Sequence, residues 1–321
     1  MSPFQLTRTL PADATGAALR ADVLHGLTRS PKELPPKWFY DARGSELFEE
    51  ITRLPEYYPT RAEREILVSR SHQIAAATGA RTLVELGSGS SEKTRHLIDA
   101  LLPALDAYVP VDVSQSALEG AGEALLEERP GLRVHALVAD FTHGLDLPPT
   151  VGPRLVAFLG GTVGNLLPEE RREFLRGVRA MLVPGDSLLL GTDLVKDEAT
   201  LVAAYDDAAG VTAEFNKNVL AVLGRELGAD ADPEDFEHVA LWDREHEWIE
   251  MRLRARHALV VKIPELDLVV PFEAGEEMRT EVSAKFRQEG VRTELAEAGF
   301  TLSHWWTDEE GRFALSLATV D

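Results

Sequence analysis

The chain of 321 residues reads as an α/β protein with a doubly wound parallel sheet and a second, discontinuous α+β domain. Three observations carry that reading. Apolar runs of strand length alternate with helical stretches from residue 62 to 196. A glycine-rich turn joins the first of those runs to a helix. Beyond Lys196 the strand–helix alternation gives way to period-two patterning without intervening helices.

The first run is Thr82–Leu86, followed by a tight turn at Gly87–Ser91 and a helix start from Glu92. Glycines there let backbone approach a ligand, and a helix N-terminus offers unpaired N–H groups. A dinucleotide fingerprint would need a third glycine where Glu92 stands, and the phosphate-cradling G-x-x-x-x-G-K-[ST] motif is absent. An acidic residue two places before the first glycine (Glu85), then G-x-G, is the form associated with S-adenosylmethionine (SAM) methyltransferases. A bare strand–helix turn is the competing reading of these glycines alone.

Two further strand ends favour a ligand. Tyr108–Val113 reads as the second strand, with Asp112 at its end, 25 residues after Gly87. A carboxylate in that place grips a ribose diol. Val134–Phe141 reads as the third strand and ends in Asp140 and Phe141. An acid can accept from an exocyclic amine while an aromatic ring covers an adenine. Each acid alone is more often a cap or turn residue; three such ends in strand order are much harder to ascribe to coincidence. Leu155–Gly160 is the fourth strand, running through Gly161 to Asn165, which offers both donor and acceptor but also suits a turn. Pro168 opens a helix, and Ser187–Asp193 is the fifth strand.

The flanks supply the second domain. A helix spans Asp13–Leu27, and a proline-rich connector leads to Trp38, Phe39 and Tyr40. Trp38 and Phe39 read as core anchors. Tyr40, Tyr57 and Tyr58, on proline-bracketed loops, suit ligand contact as well as packing. Glu198–Leu227 is helical with a break near Gly210, and Phe236–Phe272 alternates as an antiparallel insert. Glu281, Val282 and Ser283 follow; if extended, Glu281 and Ser283 share a side. The chain closes with a helix at Val291–Ala298 and two strands, Phe300–Trp306 and Arg312–Val320. These would complete a seven-stranded sheet. The expected domains are 61–196 plus 287–321 for SAM, and 1–60 plus 197–286 for a substrate.

The formal net charge of −21 disfavours nucleic-acid and anionic-membrane partners. The absence of cysteine excludes disulfides, thiol catalysis and thiolate metal sites. Nine histidines show no tight ligand spacing, so no metal is expected. With no spanning apolar run and no secretory h-region, a cytoplasmic setting is the default, and no protein partner is evident.

Pro35–Tyr40, Leu54–Arg61, Val84–Thr94, Phe158–Leu166, Gly185–Lys196, Tyr205–Val211 and Gly275–Phe286 resemble the L-histidine Nα-methyltransferases of ergothioneine biosynthesis. The resemblance covers nearly the whole chain. It implies a class I SAM methyltransferase fold and transfer of three methyl groups from SAM to the α-amino nitrogen of histidine, giving hercynine. It places Gly87 and Lys93 at the methionine part of SAM, Asp112 at the ribose, and Asp140 with Phe141 at the adenine. It places Tyr57, Asn165 and Tyr205 at the backbone end of histidine. Glu281 and Ser283, with Val282 between them, fall at the imidazole, and Tyr40 near the reacting amine, where Tyr40 and Asn165 would orient it. A SAM methyltransferase of another amino acid or small amine is the nearest alternative, and a non-catalytic SAM-binding module the more distant one.

Overall fold

The computed structural model describes residues 3–11, 13–143, 145 and 147–320. The chain divides into two compact units. The larger comprises Met1–Pro11, Pro59–Val195 and Phe286–Asp321; the smaller comprises Ala12–Tyr58 and Lys196–Lys285.

In the larger unit one sheet runs in the order Phe4–Arg8, Val134–Val138, Ala107–Asp112, Thr82–Leu86, Arg154–Phe158, Ser187–Asp193, Phe313–Thr319, Thr301–Thr307. Among the described residues Phe313–Thr319 is the one strand that runs antiparallel to the rest of this sheet. Thr82–Leu86 is buried at every position, as an interior parallel strand must be. Val84 stands between Val109 and Val156 on the flanking strands, and each such side chain contributes about 1.5–3 kcal/mol on burial.

The strand order reverses between Thr82–Leu86 and Arg154–Phe158. The glycine turn and the Gly160–Asn165 segment leave the carboxyl ends of those two neighbours, the place where open α/β sheets bind ligands.

The sheet has eight strands, one more than the seven expected. The extra strand, Phe4–Arg8, pairs parallel with Val134–Val138. Residues 3–11 therefore belong to the larger unit, not with a substrate domain reaching from residue 1 to 60. The Phe4 ring lies over Gly122, where a Cβ would come within 2.3 Å of it. A five-residue strand whose partner and packing glycine are both distant in sequence leaves no local periodic signal.

The smaller unit holds a four-stranded sheet ordered Lys32–Glu33, Glu277–Ala284, Trp248–Ala255, Phe236–Asp243, and a separate hairpin of Leu259–Ile263 with Leu268–Phe272. Phe215, Val219 and Leu223 of the helix Val211–Leu227 share a core with Phe39, Phe236, Met251 and Leu253. Trp38 and Phe39 are buried in that unit, as their reading as core anchors requires. The break expected near Gly210 is a full interruption between Glu198–Ala203 and Val211–Leu227. Gly210 adopts φ 77°, and Asp207 accepts from the backbone N–H of Val211 and Thr212 at 3.0 and 2.7 Å, capping the second helix.

Candidate active site

In the larger unit the glycine turn is longer than its sequence suggests. Residues 87–94 are irregular, and the helix starts at Arg95. Gly87 and Gly89 take φ of 67° and 49°, a region open to glycine at no steric cost. Ser91 also lies there, at 53°, which disfavours most side chains. It is buried and braced: its Oγ is 2.7 Å from the Tyr108 hydroxyl. Tyr108 and Thr94 both donate to the buried Glu85 carboxylate. Burial pushes the Glu85 carboxyl up to about 7, against the pull of those two hydroxyls, and burial beside Glu85 pushes the Tyr108 phenol up as well.

Asp112 is the last residue of its strand. Its two oxygens accept from the backbone N–H of Gly89 and Ser114, at 3.0 and 2.9 Å. Each oxygen keeps further lone-pair capacity, so the fixed carboxylate fits a ribose diol beside the turn. The third strand ends at Val138, three residues before the expected Phe141. Asp140 turns the chain by accepting from the Thr142 N–H and hydroxyl at 2.9 and 2.6 Å. The Phe141 ring stands edge-on to Phe158 and Phe174 and lies 3.6 Å from where a Gly87 Cβ would be. Glycine turn, Asp112 and Phe141 thus form one connected wall whose chemistry fits SAM.

Lys93 pairs with Glu63, whose other oxygen accepts from the Gly160 N–H at 2.7 Å. A Gly160 Cβ would sit 3.3 Å from the Lys93 ammonium, so glycine leaves that side of the cation open. Asn165 ends the short turn Thr162–Asn165 after Gly160 and Gly161, and is half-buried. Among the described residues no group of three or more His, Cys, Asp or Glu side chains is placed to hold a metal ion.

In the smaller unit the candidate residues gather around one aromatic wall. Tyr40 stands edge-on to Phe48 and Phe215, at 5.5 and 5.3 Å between centroids. Tyr57 meets Phe48 and Tyr205 edge-on at 6.1 and 6.4 Å. The loop presenting Tyr40 is clamped. The Asn218 amide donates to the Phe39 carbonyl at 3.0 Å, and a Cβ on Gly44 would fall 1.7 Å from that oxygen. Tyr40 itself is 51% exposed. Its phenol is nevertheless held well above its ordinary range by the protein crowded around it, then by the Glu281 carboxylate and Tyr205. Tyr58, in contrast, is buried, with its hydroxyl accepting from Lys196 at 2.7 Å, which fits packing.

Glu281 and Ser283 owe their direction to a β-bulge. Glu277 and Arg279 stand opposite Arg254 and Arg252, in a ladder of ion pairs on one face of the sheet. Strict alternation would put Glu281 and Ser283 on that same face. The register shifts at Thr280, so Glu281 faces Met251 and Ser283 faces Ile249, the residues of the core-forming side. Val282 instead stands opposite Glu250, and is buried. Ser283 Oγ then lies 2.7 Å from the Tyr205 hydroxyl.

A family profile described as histidine-specific methyltransferase, SAM-dependent, matches residues 19–320. The chain belongs to that family. A histidine N-alpha-methyltransferase of Mycolicibacterium smegmatis is 60% identical over 317 residues, covering 98% of this chain and 99% of the relative. One from Mycobacterium tuberculosis is 57% identical over 311 residues, covering 96% and 97%. An ergothioneine biosynthesis protein 1 of Neurospora crassa is 34% identical over 209 residues, 63% of this chain and 24% of that protein. The chain is a SAM-dependent methyltransferase, and its sheet order is the α/β arrangement that reading requires.

Three features of this methyltransferase escape reading by motif. Glu63 is fully buried, yet it shares a helical stripe with Ile66 and Leu67, and a carboxylate on an apolar stripe is a visible signal. Lys285 continues the alternation of Glu281 and Ser283 and is only 4% exposed. A third device supports Tyr205 from behind. Thr280 donates to Asn216 Oδ1 at 2.6 Å, Asn216 Nδ2 lies 2.8 Å from His238 Nδ1, and His238 Nε2 lies 2.8 Å from the Tyr205 carbonyl. Burial pushes the His238 ring down from its ordinary range, which keeps it neutral with Nε2–H as the donor.

Proposed function

We propose that this enzyme methylates the α-amino nitrogen of L-histidine three times, forming Nα,Nα,Nα-trimethyl-L-histidine (hercynine), and does so in the cytoplasm. The observation that carries the substrate is the inward-facing Glu281–Ser283 pair beside the aromatic wall of Tyr40, Tyr57 and Tyr205. The near full-length likeness to two mycobacterial histidine N-alpha-methyltransferases supports it.

In this reading Gly87, Lys93, Asp112, Asp140 and Phe141 hold SAM, which supplies an electrophilic methyl on a sulfonium. The amine lone pair bonds to the methyl carbon as the carbon–sulfur bond breaks, and S-adenosylhomocysteine leaves. Each transfer releases one proton, so the ammonium form of histidine and three SAM give the betaine, three S-adenosylhomocysteine and three protons. An α-amino group with a reference pKa of about 7.7–8.0 deprotonates at small cost near neutral pH. Alignment is then the main task. Asn165, Tyr57 and Tyr205 take the amino-acid backbone. Tyr40, a neutral phenol, orients the amine by hydrogen bonding and acts as no ionised base. Tyrosine faces suit the growing quaternary ammonium.

Purified protein incubated with SAM and L-histidine, followed by mass spectrometry, is expected to yield a histidine heavier by three methyl groups. Histamine, which lacks the carboxylate, should stay unreacted. SAM bound with no methylated histidine would overturn the substrate assignment.

A further inference from the structure

Glu63 is a buried carboxylate to which the methyl-transfer reading gives no task. It lies on the helix Pro59–Thr78 among Ala62, Ile66 and Leu67, with its side chain 0% exposed. One oxygen pairs with Lys93, whose side chain keeps 30% of its surface, and the other accepts from the Gly160 N–H at 2.7 Å. The cation is the open end of the pair and the carboxylate the closed end.

A buried ion pair is poor evidence of stability, because desolvating both charges offsets much of their attraction. The strand beside this pair is nevertheless shaped to admit it. Gly191 lies inside Ser187–Asp193 and has no left-handed φ to require glycine. A Cβ there would fall 2.5 Å from Glu63 Oε1. Glycine in a strand interior weakens the strand and marks such a close approach. With Gly160 beside the ammonium, each end of the pair has a glycine next to it.

What the pair controls is the place of the ammonium. Lysine carries its charge on a flexible four-carbon stem, and an unanchored one must be ordered when an anion binds. A second buried carboxylate, Glu85, also feels the Lys93 charge, but its oxygens accept from Thr94 and Tyr108. Glu63 instead links Lys93, in the loop after Thr82–Leu86, to the backbone at Gly160, in the loop after Arg154–Phe158. Those two strands are neighbours at the switch point.

We infer that Glu63 is a positioning residue for SAM, which through Lys93 sets a cation in place for the carboxylate at the amino-acid end of SAM. The inference rests on the placement of Lys93 at that end. The same end carries an ammonium, so the Glu63 charge attracts one of its groups and repels the other. The direct effect of that charge is therefore small, and the position of Lys93 decides the outcome.

The test compares two ligands by calorimetry. S-adenosylhomocysteine is one; the other is 5′-methylthioadenosine, which has adenine, ribose and a thioether but no amino-acid end. Wild type should prefer S-adenosylhomocysteine about tenfold or more. Glu63→Gln offers one oxygen where two donors are served, so the link between Lys93 and Gly160 breaks. That preference should shrink about 3- to 10-fold, with affinity for 5′-methylthioadenosine within about twofold of wild type. Glu63→Asp keeps the charge but draws it back by one methylene, and should shrink the preference likewise. In a Lys93→Met background, Glu63→Gln should change the preference no further. A preference unchanged or enlarged in Glu63→Gln overturns the inference, as does one that Glu63→Asp leaves at the wild-type value. Equal loss of both ligands, the mark of a merely structural carboxylate, also overturns it, and so does a further loss in the Lys93→Met background. Either Glu63 variant decides the matter if the other variants do not fold. Equal affinity of the wild type for the two ligands would instead overturn the placement of Lys93 itself, a different result from a preference that Glu63→Gln leaves intact.

Discussion

In the larger unit the residues expected around SAM stand at the ends of parallel strands; in the smaller unit most of those expected around histidine are side chains projecting from one strand face and the loops near it. The first kind of site is built largely by backbone. Gly87 and Gly89 supply left-handed turns, and Asp112 is oriented by two main-chain N–H groups. Such a site is located by topology, since the carboxyl ends of the strands at a switch point converge whatever the side chains are. The second kind depends on register. One extra residue at Thr280 decides whether Glu281 joins an ion-pair ladder or the inward face. A strand-end site should therefore tolerate change in the surrounding side chains, and a strand-face site should tolerate very little.

Reciprocal substitutions put that contrast under the most strain. Glu281→Ala removes the carboxylate proposed to accept the imidazole N–H. Histidine kcat/KM should fall on the order of 10²- to 10³-fold, because a site built to satisfy a polar group loses both the bond and its discrimination. SAM affinity should stay within twofold. Asp112→Asn should do the reverse. It takes one acceptor from the diol and sets an amide N–H against one of the two backbone donors that orient the residue. SAM affinity should drop roughly 10- to 100-fold, while the histidine KM measured at saturating SAM barely moves. Calorimetry with SAM and steady-state kinetics with histidine separate the two. Equal losses of both ligands in either variant would mean that the sites are not independently built.

The same contrast governs what could be read from sequence. Thr82–Leu86, Ala107–Asp112 and Arg154–Phe158 are legible as apolar runs bounded by glycine or acid, whereas their order in the sheet, with Arg154–Phe158 on the other side of Thr82–Leu86 from Ala107–Asp112, differs from their order along the chain. Asp112 and Asn165 then follow as end residues. Glu281 and Ser283 are legible as neighbours on one side, but which side they face lies in the pairing with Met251 and Ile249, thirty-odd residues upstream. Lys285 shows the limit most clearly. Its alternation with Ser283 is visible, yet a lysine at a strand end normally projects to solvent, and only tertiary packing buries it. Phe4–Arg8 gives no such signal for a related reason: its partner among the described residues is the distant strand Val134–Val138.

Tyr40→Phe sharpens the comparison at a smaller scale. The ring contacts with Phe48 and Phe215 survive the change, so only the hydroxyl is tested. Its pKa is raised by crowding and by Glu281, so at working pH it is a protonated phenol. The first-transfer kcat should fall about 3- to 10-fold, within the reach of one positioning hydrogen bond, with SAM affinity unchanged. The alkaline limb of the pH–rate profile should keep its position, because a group that does not ionise there cannot define it. A shifted limb would make Tyr40 a titrating base and contradict the electrostatics of the smaller unit.

The smallest effect concerns what supports the strand face from behind. His238 can hold the Tyr205 carbonyl and accept from Asn216 only while its ring is neutral. Burial lowers its folded-state pKa below the unfolded value, near 6.5. The unfolded chain therefore takes up this proton first as the pH drops. Stability contributed by the neutral ring is complete above about pH 6.5 and is lost as the pH falls toward the folded pKa, at a limiting slope of about 1.4 kcal/mol per unit for one proton. Urea unfolding at pH 7.5 and 5.5 should show that loss in the wild type, added to whatever the other groups contribute. His238→Gln keeps a hydrogen-bonding side chain without a titrating one, so the difference between wild type and variant should narrow as the pH is lowered, even if the variant starts less stable. A difference that holds constant across the range would assign His238 a packing role and leave the Thr280–Asn216 pair as the support for Tyr205.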